Sequence, residues 1–277
     1  YIYNIREVAG RKARWPNTMF GTEDSILEVA KSDLPQVKKY FFPKPLRVNW
    51  KYLYSEAIWT QGFWMATLNP NIKSLADLKG KRIGLGIPGQ SDWGMDLYLF
   101  LNIGYGITEE NSHIEWLGPM KATEALLDGR VDAAAMGMAM NIDGKAFPAP
   151  PVRTLEASKR KVYWLTADPQ AVKKLNKVLY NGTAKFRTLP AGVLPFQDKA
   201  LQMATDIGYK AVHPNFDEKL AYEIVKMVAK LGPKMAKVHG FWKLWSPRQM
   251  LLELTEENTH PGAIRAYKEL GWWDKYR

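Results

Sequence analysis

The sequence predicts an α/β fold built on a parallel sheet. An apolar strand, Arg82–Ile87, is followed by a Pro-Gly loop and a helical pattern from about Asp92 to Gly104, and strand and helix patterns continue to alternate up to residue 136. Strands that alternate with helices at these lengths pair in parallel through right-handed crossovers. With 277 residues, 46% hydrophobic and 24% charged, the chain can fold as one large domain or as two lobes.

The segments before this unit alternate between helical and extended patterns. Tyr1–Ala13 predicts the end of a helix, with basic residues in the last turn, where the helix dipole favours them. Thr18–Gly21 predicts a short apolar strand, which leads through a polar corner into a helix at Ile26–Ala30. Leu46–Tyr54 and Gly62–Leu68 predict strands because they are rich in aromatic and β-branched residues.

The segments after Gly104 continue the alternation. His113–Leu117 and Val131–Met136 predict strands on either side of a helix at Ala122–Leu127, which Gly129 stops. The remaining predicted elements are a proline-rich loop at Phe147–Thr154, a strand at Leu155–Leu165, a helix at Asp168–Leu179, a strand at Ala200–Val212, a helix at Asp217–Leu231 and a helical tail at Phe241–Arg277. In Asp217–Leu231 the residues Leu220, Ile224, Met227, Val228 and Leu231 recur at helical spacing and predict the buried face.

The loop after strand Arg82–Ile87 predicts a ligand site. The N-terminus of a helix leaves backbone N–H groups unpaired and carries a partial positive charge, so it suits a carboxylate, phosphate or sulfonate. Capping of the helix by Ser91 or Asp92, without a ligand, is the alternative. The spacing matches neither a P-loop nor a dinucleotide-binding fingerprint.

Other candidate site residues follow from strand ends and aromatic side chains. Ligands of parallel sheets lie beyond the carboxyl ends of the strands, here Gly89–Trp93 and Gly137–Asn141. Met138 could line the ligand site with its flexible, polarisable side chain, although most of the alternating methionines at positions 136, 138 and 140 are expected in the core. Of the aromatic residues crowded between positions 50 and 64, Tyr54 and Trp59 are the candidates to line a cleft.

Composition argues against several function classes. The chain has no cysteine, which removes thiol catalysis and zinc thiolate sites, and its four histidines show no metal-ligand spacing. The 39 basic and 28 acidic residues give a net charge of +11, which favours anionic ligands, but they form no long cationic run of the kind that binds nucleic acid. No apolar run is long enough to span a membrane. The residues therefore predict no enzyme, no catalytic residue, no metal, no cofactor, no nucleic-acid partner and no membrane-spanning segment.

Five segments together resemble a known family. Ile72–Arg82 (IKSLADLKGKR) with the Pro88-Gly89 loop, and Glu124–Leu126 with Asp128–Ala133, resemble the second lobe of bacterial solute-binding proteins, including ABC-type receptors for sulfonates or nitrate. Three later segments narrow the resemblance to the TAXI family, the substrate-binding receptors of one class of TRAP transporters: Leu189–Gly192 with Phe196–Asp198, Ala221–Lys226, and His260–Ala263 with Tyr267–Gly271. The resemblance covers roughly Asn17 to Trp273.

The resemblance implies a periplasmic binding protein of the two-lobed, type II-like α/β class, with mostly parallel sheets and a hinge near Phe63–Pro70 and Ala204–Pro214. Lobe one would comprise residues 1–70 and 206–277, and lobe two residues 71–205. The lobes would close on a small organic acid, such as a dicarboxylate, and deliver it to TRAP membrane subunits. By position, the ligand-binding residues implied by the resemblance, with the two aromatic candidates, are Thr22, Glu23, Asp24, Tyr54, Trp59, Gly89, Gln90, Ser91, Asp92, Trp93, Gly137 and Met138.

The sequence departs from this family in two respects. The family begins with a strand, a Gly-rich loop and a helix that supply part of the ligand site, and Tyr1 follows them. We expect either that the sequence starts after those elements, with a signal peptide removed or absent, or that another element completes the lobe. Glu23, Asp24 and Asp92 are acidic where a carboxylate ligand prefers donors, and Trp93 is bulkier than the usual residue. These departures indicate an aromatic or amphipathic acid, or a ligand with a cationic group. An ABC-type organic-anion receptor, and a binding-protein fold reused as an enzyme or structural subunit, are the alternatives.

Overall fold

Two β-sheets organise the chain in the computed structural model, which describes residues 2–277. The first sheet has six strands, all antiparallel to their neighbours, in the order β1-β11-β2-β7-β8, with β10 paired to the opening residues of β11. Its strands are β1 (Met19–Glu23), β2 (Lys51–Trp59), β7 (Met138–Met140), β8 (Ala146–Pro148), β10 (Lys185–Leu189) and β11 (Leu201–Val212).

The second sheet has five strands in the order β5-β4-β6-β3-β9. These strands are β3 (Trp64–Thr67), β4 (Arg82–Leu85), β5 (His113–Trp116), β6 (Ala133–Ala135) and β9 (Tyr163–Thr166). Only β4 pairs in parallel, with β5 on one side and β6 on the other. The predicted α/β class with two lobes is confirmed, since each sheet carries its own helices.

The helices pack on these sheets. The α-helices are α1 (Ile2–Gly10), α2 (Asp24–Ala30), α3 (Pro35–Tyr40), α4 (Leu97–Tyr105), α5 (Pro119–Leu127), α6 (Pro150–Ala157), α7 (Pro169–Leu175), α8 (Glu218–Met235), α9 (Pro247–Met250), α10 (Pro261–Glu269) and α11 (Trp273–Tyr276). Short 3₁₀ helices cover Lys12–Asn17, Leu75–Leu78 and Gly240–Leu244, and π-helical turns cover Ser91–Asp96 and Asn176–Tyr180. None of the helices described in residues 2–277 is both long and apolar enough to cross a bilayer. The predicted helical segment Tyr1–Ala13 includes Tyr1, which is outside the described residues.

The prediction of mostly parallel sheets is wrong. Among the strands of the described residues, parallel pairing is confined to β4, β5 and β6, where helices α4 and α5 provide the crossovers. The other strand pairs are antiparallel: β3 enters the second sheet directly after β2 of the first sheet and pairs antiparallel to β6 and β9. In the first sheet β11 runs between β1 and β2 in the opposite direction to both.

The predicted strand at Leu155–Leu165 is also wrong in its first half. Residues 150–157 form helix α6, and only Tyr163–Thr166 is extended. Pro150 and Pro151 start this helix, where the missing proline N–H costs nothing because first-turn amides have no intrahelical acceptor. Two of the three prolines predicted as a loop, Pro150 and Pro151, therefore belong to a helix, and Pro148 ends β8.

The chain passes between the two sheets at places that differ from the predicted lobe limits. It leaves β2 for β3 over residues 60–63 and returns from β6 to β7 over residues 136–137. Strands β7 and β8 therefore pair within the first sheet, although the range predicted for lobe two, 71–205, includes them. The predicted limit at 205/206 falls inside β11, where pairing with β10 ends at Thr205 and pairing with β2 begins at Asp206.

Candidate functional site

Three elements from the two sheets converge at one junction. β1 and β2 both run antiparallel to β11, so their carboxyl ends lie on either side of the same stretch of β11: Glu23 pairs with Gly208 and Trp59 pairs with Asp206. From the second sheet, the turn Ser91–Asp96 follows β4. The carboxyl ends of strands are where α/β proteins hold their ligands, so this junction is the candidate site.

Glu23 and Asp24 stand where β1 turns into α2. Glu23 is completely buried, and no N–H or hydroxyl group of the described chain donates a hydrogen bond to either of its carboxyl oxygens. Asp24 is better satisfied, because its Oδ1 accepts hydrogen bonds from the backbone N–H of Ser25 at 2.9 Å and of Ile207 at 3.0 Å. Asp24 thus ties the start of α2 to β11, and Glu23 is left facing the junction.

Asp206 lies on β11 at the residue where the pairing partner changes. Its Oδ2 accepts a hydrogen bond from the hydroxyl of Ser25 at 2.5 Å. Its Oδ1 is buried and has no partner among residues 2–277. One half of this carboxyl group is therefore held in place while the other half is free to accept a further donor.

A π-helical turn brings two more acids to the junction. In Ser91–Asp96 the N–H of Met95 bonds to the carbonyl of Gln90 at 3.1 Å, five residues back, and this wider turn places both Asp92 and Asp96 on the buried side. Such turns interrupt helices mainly where function requires it. Asp96 Oδ1 accepts a hydrogen bond from the hydroxyl of Tyr180, and its Oδ2 has no partner in the described residues.

The backbone at Gly62 packs directly on this turn. A Cβ on Gly62 would lie 2.8 Å from Cβ of Asp96, and the residue has φ of +89°. Only glycine combines that conformation with so close an approach. The crossing from the first sheet to the second therefore fixes the position of Asp96.

Burial and mutual repulsion shift these acids in the same direction. Burial is the largest cause that raises the pKa of Glu23, Asp96 and Asp206 well above the ordinary range, and the charges of neighbouring acids raise it further. Burial also raises the pKa of Asp92, and that of Asp24 to about 7, although the two backbone hydrogen bonds to Asp24 work against the shift. Burying an ionised carboxyl group costs free energy. This cost is smaller when the group stays protonated or when a positive group binds beside it.

Unpartnered polar atoms are concentrated at the junction. Eight buried side-chain nitrogen or oxygen atoms of the described residues have no hydrogen-bond partner, and six of them belong to the junction. The six are both carboxyl oxygens of Glu23, Oδ2 of Asp96, Oδ1 of Asp206, Oε1 of Gln61 and Nε1 of Trp59. Buried polar groups are nearly always satisfied, so this concentration indicates a missing partner.

The second crossing, at Gly137, closes the other side of the junction. A Cβ on Gly137 would lie 2.3 Å from Cγ of Gln61 and 2.9 Å from Cη2 of Trp93. Gln61 is buried, and the Trp93 ring therefore reaches from the turn after β4 to the strand that re-enters the first sheet. Glycine at 137 is what allows these two side chains to meet the backbone.

The structure brings together seven of the twelve predicted site residues. Those at or beside the junction are Thr22, Glu23, Asp24, Trp59, Asp92, Trp93 and Gly137. Ser91 is buried next to it and donates a hydrogen bond from its hydroxyl to Asp92 Oδ1 at 2.5 Å.

The other four predicted residues lie elsewhere. Tyr54 packs in the core between the first sheet and the carboxy-terminal helices, and Met138 is fully buried in a second apolar cluster. Gly89 is exposed. Gln90 closes its own turn, because its Oε1 accepts a hydrogen bond from the N–H of Ile87 at 3.0 Å.

Sequence reasoning missed five residues of the junction. They are Ser25, Gln61, Asp96, Tyr180 and Asp206. A signal was present for two of them: Asp96 interrupts an apolar helical run and Asp206 stands inside an apolar strand. An ionisable residue in the middle of a buried element is uncommon unless it is paired or functional.

The acids are not arranged as a metal centre. No group of three or more His, Cys, Asp or Glu side chains within residues 2–277 has the geometry to hold a metal ion. The predicted anion position at the start of the helix holds the chain's own Asp92, a buried acid whose Oδ1 accepts the hydrogen bond from Ser91.

Comparison with solved structures gives similarities at low identity. The periplasmic aliphatic sulphonate binding protein SsuA of Escherichia coli is 14% identical over 97% of this chain and 69% of its own, with a TM-score of 0.44. XAC2383 of Xanthomonas citri, solved bound to ATP, is 11% identical over 99% and 83%, with a TM-score of 0.47. Tv2483, solved bound to L-arginine, is 12% identical over 90% and 75%, with a TM-score of 0.41.

Family membership rests on the sequence itself. Residues 52–271 match the sequence pattern of the NMT1-like family. The matched region runs from the first residues of β2 to the end of α10 and includes Asp92, Asp96 and Asp206 of the junction. Because it spans most of the chain, this protein belongs to the NMT1-like family.

Proposed function

We propose that this protein is an extracytoplasmic, periplasmic solute-binding receptor that closes its two lobes on a small organic solute and delivers it to a membrane transporter. The observation that carries the proposal is the set of buried oxygens of Glu23, Asp96 and Asp206, which lack partners where the two sheets meet. Family membership and the resemblance of Ile72–Arg82 to solute-binding proteins support the same reading.

The mechanism is closure without chemistry. Glu23 and Asp206 belong to the first sheet, whereas Asp92 and Asp96 follow β4 of the second sheet. Separation of the sheets would open the junction to solvent, and a solute that touches both sides would favour the closed state. The closed form is the one that a transporter would recognise.

The transporter is proposed to be of the TRAP type. The support is the combined resemblance of Leu189–Gly192, Ala221–Lys226 and His260–Ala263 to the TAXI family. An ABC-type transporter is the second candidate, because the segment Ile72–Arg82 and the Pro88-Gly89 loop resemble receptors of both kinds.

The solute is proposed to include an acidic group, as the resemblance implies. Its negative group would take the place of the Asp92 carboxylate at the start of the turn Ser91–Asp96, where the helix dipole is positive. Ser91→Asp should then weaken binding of an acidic solute about tenfold, because it adds a negative charge at this end. Circular dichroism checks that the variant folds, and undiminished binding by a folded variant would contradict this placement.

Mass spectrometry tests the receptor function. Protein purified natively is denatured, the released molecules are identified, and the same molecules are returned to refolded protein. We expect one small organic molecule per chain, recovered unchanged after incubation, and a smaller radius of gyration in its presence. Consumption of the molecule would indicate an enzyme. A stable stoichiometric assembly that releases no small molecule would indicate a structural subunit.

A further inference from the structure

The unpartnered atoms at the junction share one chemical property. Five of the six are acceptors, namely the oxygens of Glu23, Asp96, Asp206 and Gln61, and only Trp59 Nε1 is a donor. Ammonium and guanidinium groups carry several N–H donors and no acceptor, so they are the complement of such a set. A carboxylate or sulfonate would add further acceptors, and only a junction acid that keeps its proton could donate to it.

The charges around these oxygens also favour a cationic group. No Lys, Arg or His nitrogen of residues 2–277 lies within 4.0 Å of a carboxyl oxygen of the five junction acids. Other acids of the chain have such partners; Glu56, on β2, is 2.6 Å from Nζ of Lys210. Buried acids are normally paired, and the side chains of residues 2–277 leave this cluster without a cation in contact.

Gln61 supplies an observation that does not depend on the acids. It is neutral, its side chain is buried, and its Oε1 has no donor within the described chain. The side chain lies against Gly137 and Trp93, and its neighbour Gly62 packs on Asp96. A donor group at the junction would therefore satisfy an amide as well as carboxyl groups.

An organic cation fits this junction better than a metal ion. The acids do not converge in metal-binding geometry in the part of the chain that the structure describes. Two indole side chains border the junction: Nε1 of Trp59 lies over Gly208, and Cη2 of Trp93 lies against Gly137. The Trp59 ring stacks on Phe241, with the ring centroids 5.6 Å apart, so one of its faces is covered.

We propose that the solute carries an ammonium or guanidinium group and that this group binds among Glu23, Asp96 and Asp206. The inference rests on the proposed receptor function and adds the substrate class to it. A solute that also carries an acid, such as an amino acid, satisfies both ends: its cationic group lies among the acids and its carboxylate lies towards Ser91.

Protons held by the acids would be exchanged for the cation. Burial and neighbouring acids favour the protonated forms of Glu23, Asp96 and Asp206, and a bound cation favours the ionised forms, so binding releases protons and strengthens as the pH rises. Among the side chains of residues 2–277, the other titratable groups that face this cluster are Asp24, Asp92 and Tyr180, with Lys185 and Glu253 beyond Asp24.

Titration calorimetry on the full chain, stripped of bound solute by unfolding and refolding, tests the inference. The cationic probes are L-arginine, putrescine and choline, and the probes without a cationic group are succinate and sulfoacetate. Glu23→Gln and Asp96→Asn keep the shape of each side chain and remove its charge. Glu28→Gln, on α2 one turn after Asp24 and paired with Lys31 at 2.7 Å, is the matched control.

We expect at least one cationic probe to bind with proton release, measured as a dependence of the binding heat on the buffer. Glu23→Gln and Asp96→Asn should each weaken it about thirtyfold, the cost of removing one partner of a buried charge pair, and Glu28→Gln should leave it unchanged. Thermal melting checks that each variant folds. Neither acid has a positively charged side-chain partner among residues 2–277, and Asp96→Asn keeps an oxygen that accepts from the Tyr180 hydroxyl, so we expect the free variants to melt no lower than the parent.

The failures of the two proposals can be told apart. Binding of succinate or sulfoacetate but of no cationic probe would overturn the cationic solute and leave the receptor function in place. Binding of Mg²⁺ or Ca²⁺ in place of the organic probes would also overturn it. If no probe of either kind binds and native protein releases no small molecule, the receptor function itself is wrong.

Discussion

The hydroxyl of Ser25, in the first turn of α2, donates a hydrogen bond to Oδ2 of Asp206 on β11 at 2.5 Å. The two residues are 181 positions apart in sequence, and both side chains are buried. This contact joins helix α2, which follows β1, to strand β11 of the first sheet. It also satisfies one of the two oxygens of Asp206, since Oδ1 has no partner in the described chain.

Ser25→Ala should destabilise the protein by about 1–3 kcal/mol, because it leaves both oxygens of a buried carboxyl group without a donor. Chemical denaturation measures the loss. In a double-mutant cycle with Asp206→Asn, we expect a coupling energy of about 0.5–3 kcal/mol. Strictly additive effects of the two substitutions would show that the contact does not stabilise the fold.

Asp24 gives a pH dependence with a defined sign. Its pKa in the folded protein is about 7, against 3.8 for an ordinary aspartate. Both states hold the proton below about pH 4, so the stabilisation is complete there; between pH 4 and 7 the unfolded state loses the proton first, and the stabilisation is lost. The free energy of unfolding of the parent minus that of Asp24→Asn should therefore fall from pH 4 to pH 8.

Asp132 provides the contrast for this measurement. Its hydrogen bond with Arg82, at 2.8 Å, holds its pKa below the usual value, so its contribution is present above about pH 4 and is lost as the pH falls further. The difference between the parent and Asp132→Asn should rise with pH below 4. Profiles of the same sign for Asp24 and Asp132 would contradict the assigned environments.

Two glycines predicted as site residues should respond differently to alanine. Gly137→Ala places a Cβ 2.3 Å from Cγ of Gln61, so the crossing must shift, and we expect a loss of about 1–3 kcal/mol in the free energy of unfolding. A Cβ on Gly89 would have no atom within 4 Å, and Gly89→Ala should change stability by less than about 1 kcal/mol. Equal losses for the two variants, measured by urea denaturation, would show that Gly137 is not a tight crossing.

Local patterns predicted much of the fold. The strand Ala200–Val212 was expected from its apolar run and is found at Leu201–Val212, and the helix expected at Asp217–Leu231 begins at Glu218. The candidate loop around Asp92 was predicted from its place at a strand end, and the loop around Glu23 from the family resemblance. Such elements are predictable because the responsible residues are neighbours in the chain.

Contacts between distant segments could not be predicted in the same way. Asp206 and Asp96 look like isolated acids in apolar elements, and only the fold brings them together with Glu23 and Ser25. The prediction that the strands pair mostly in parallel was wrong for the same reason. A strand pattern does not state which strand will be its neighbour, and in the described sheets only β4 with β5, β7 with β8 and β10 with β11 are neighbours that also follow each other along the chain.

Helix α8 shows how a correct helix can have a wrongly predicted face. Three of the five residues expected in the core are exposed: Leu220 by 38%, Met227 by 52% and Leu231 by 40%. The buried face consists of smaller residues, Ala221, Val225, Val228, Ala229 and Gly232. Both faces have helical spacing, so the pattern alone favours the larger side chains.

The reason for the smaller residues is the close approach of α10. A Cβ on Gly262 would lie 2.2 Å from the carbonyl oxygen of Glu218 and 3.0 Å from Cβ of Ala221. Val225→Ala should therefore cost about 1–3 kcal/mol, since it empties a fully buried position in this contact, whereas Met227→Ala on the same helix should change stability by less than about 0.5 kcal/mol. Thermal and urea unfolding of the two variants measure the difference. A larger loss for Met227→Ala would mean that the exposed stripe is covered in solution, and then Leu231→Ala should show the same loss.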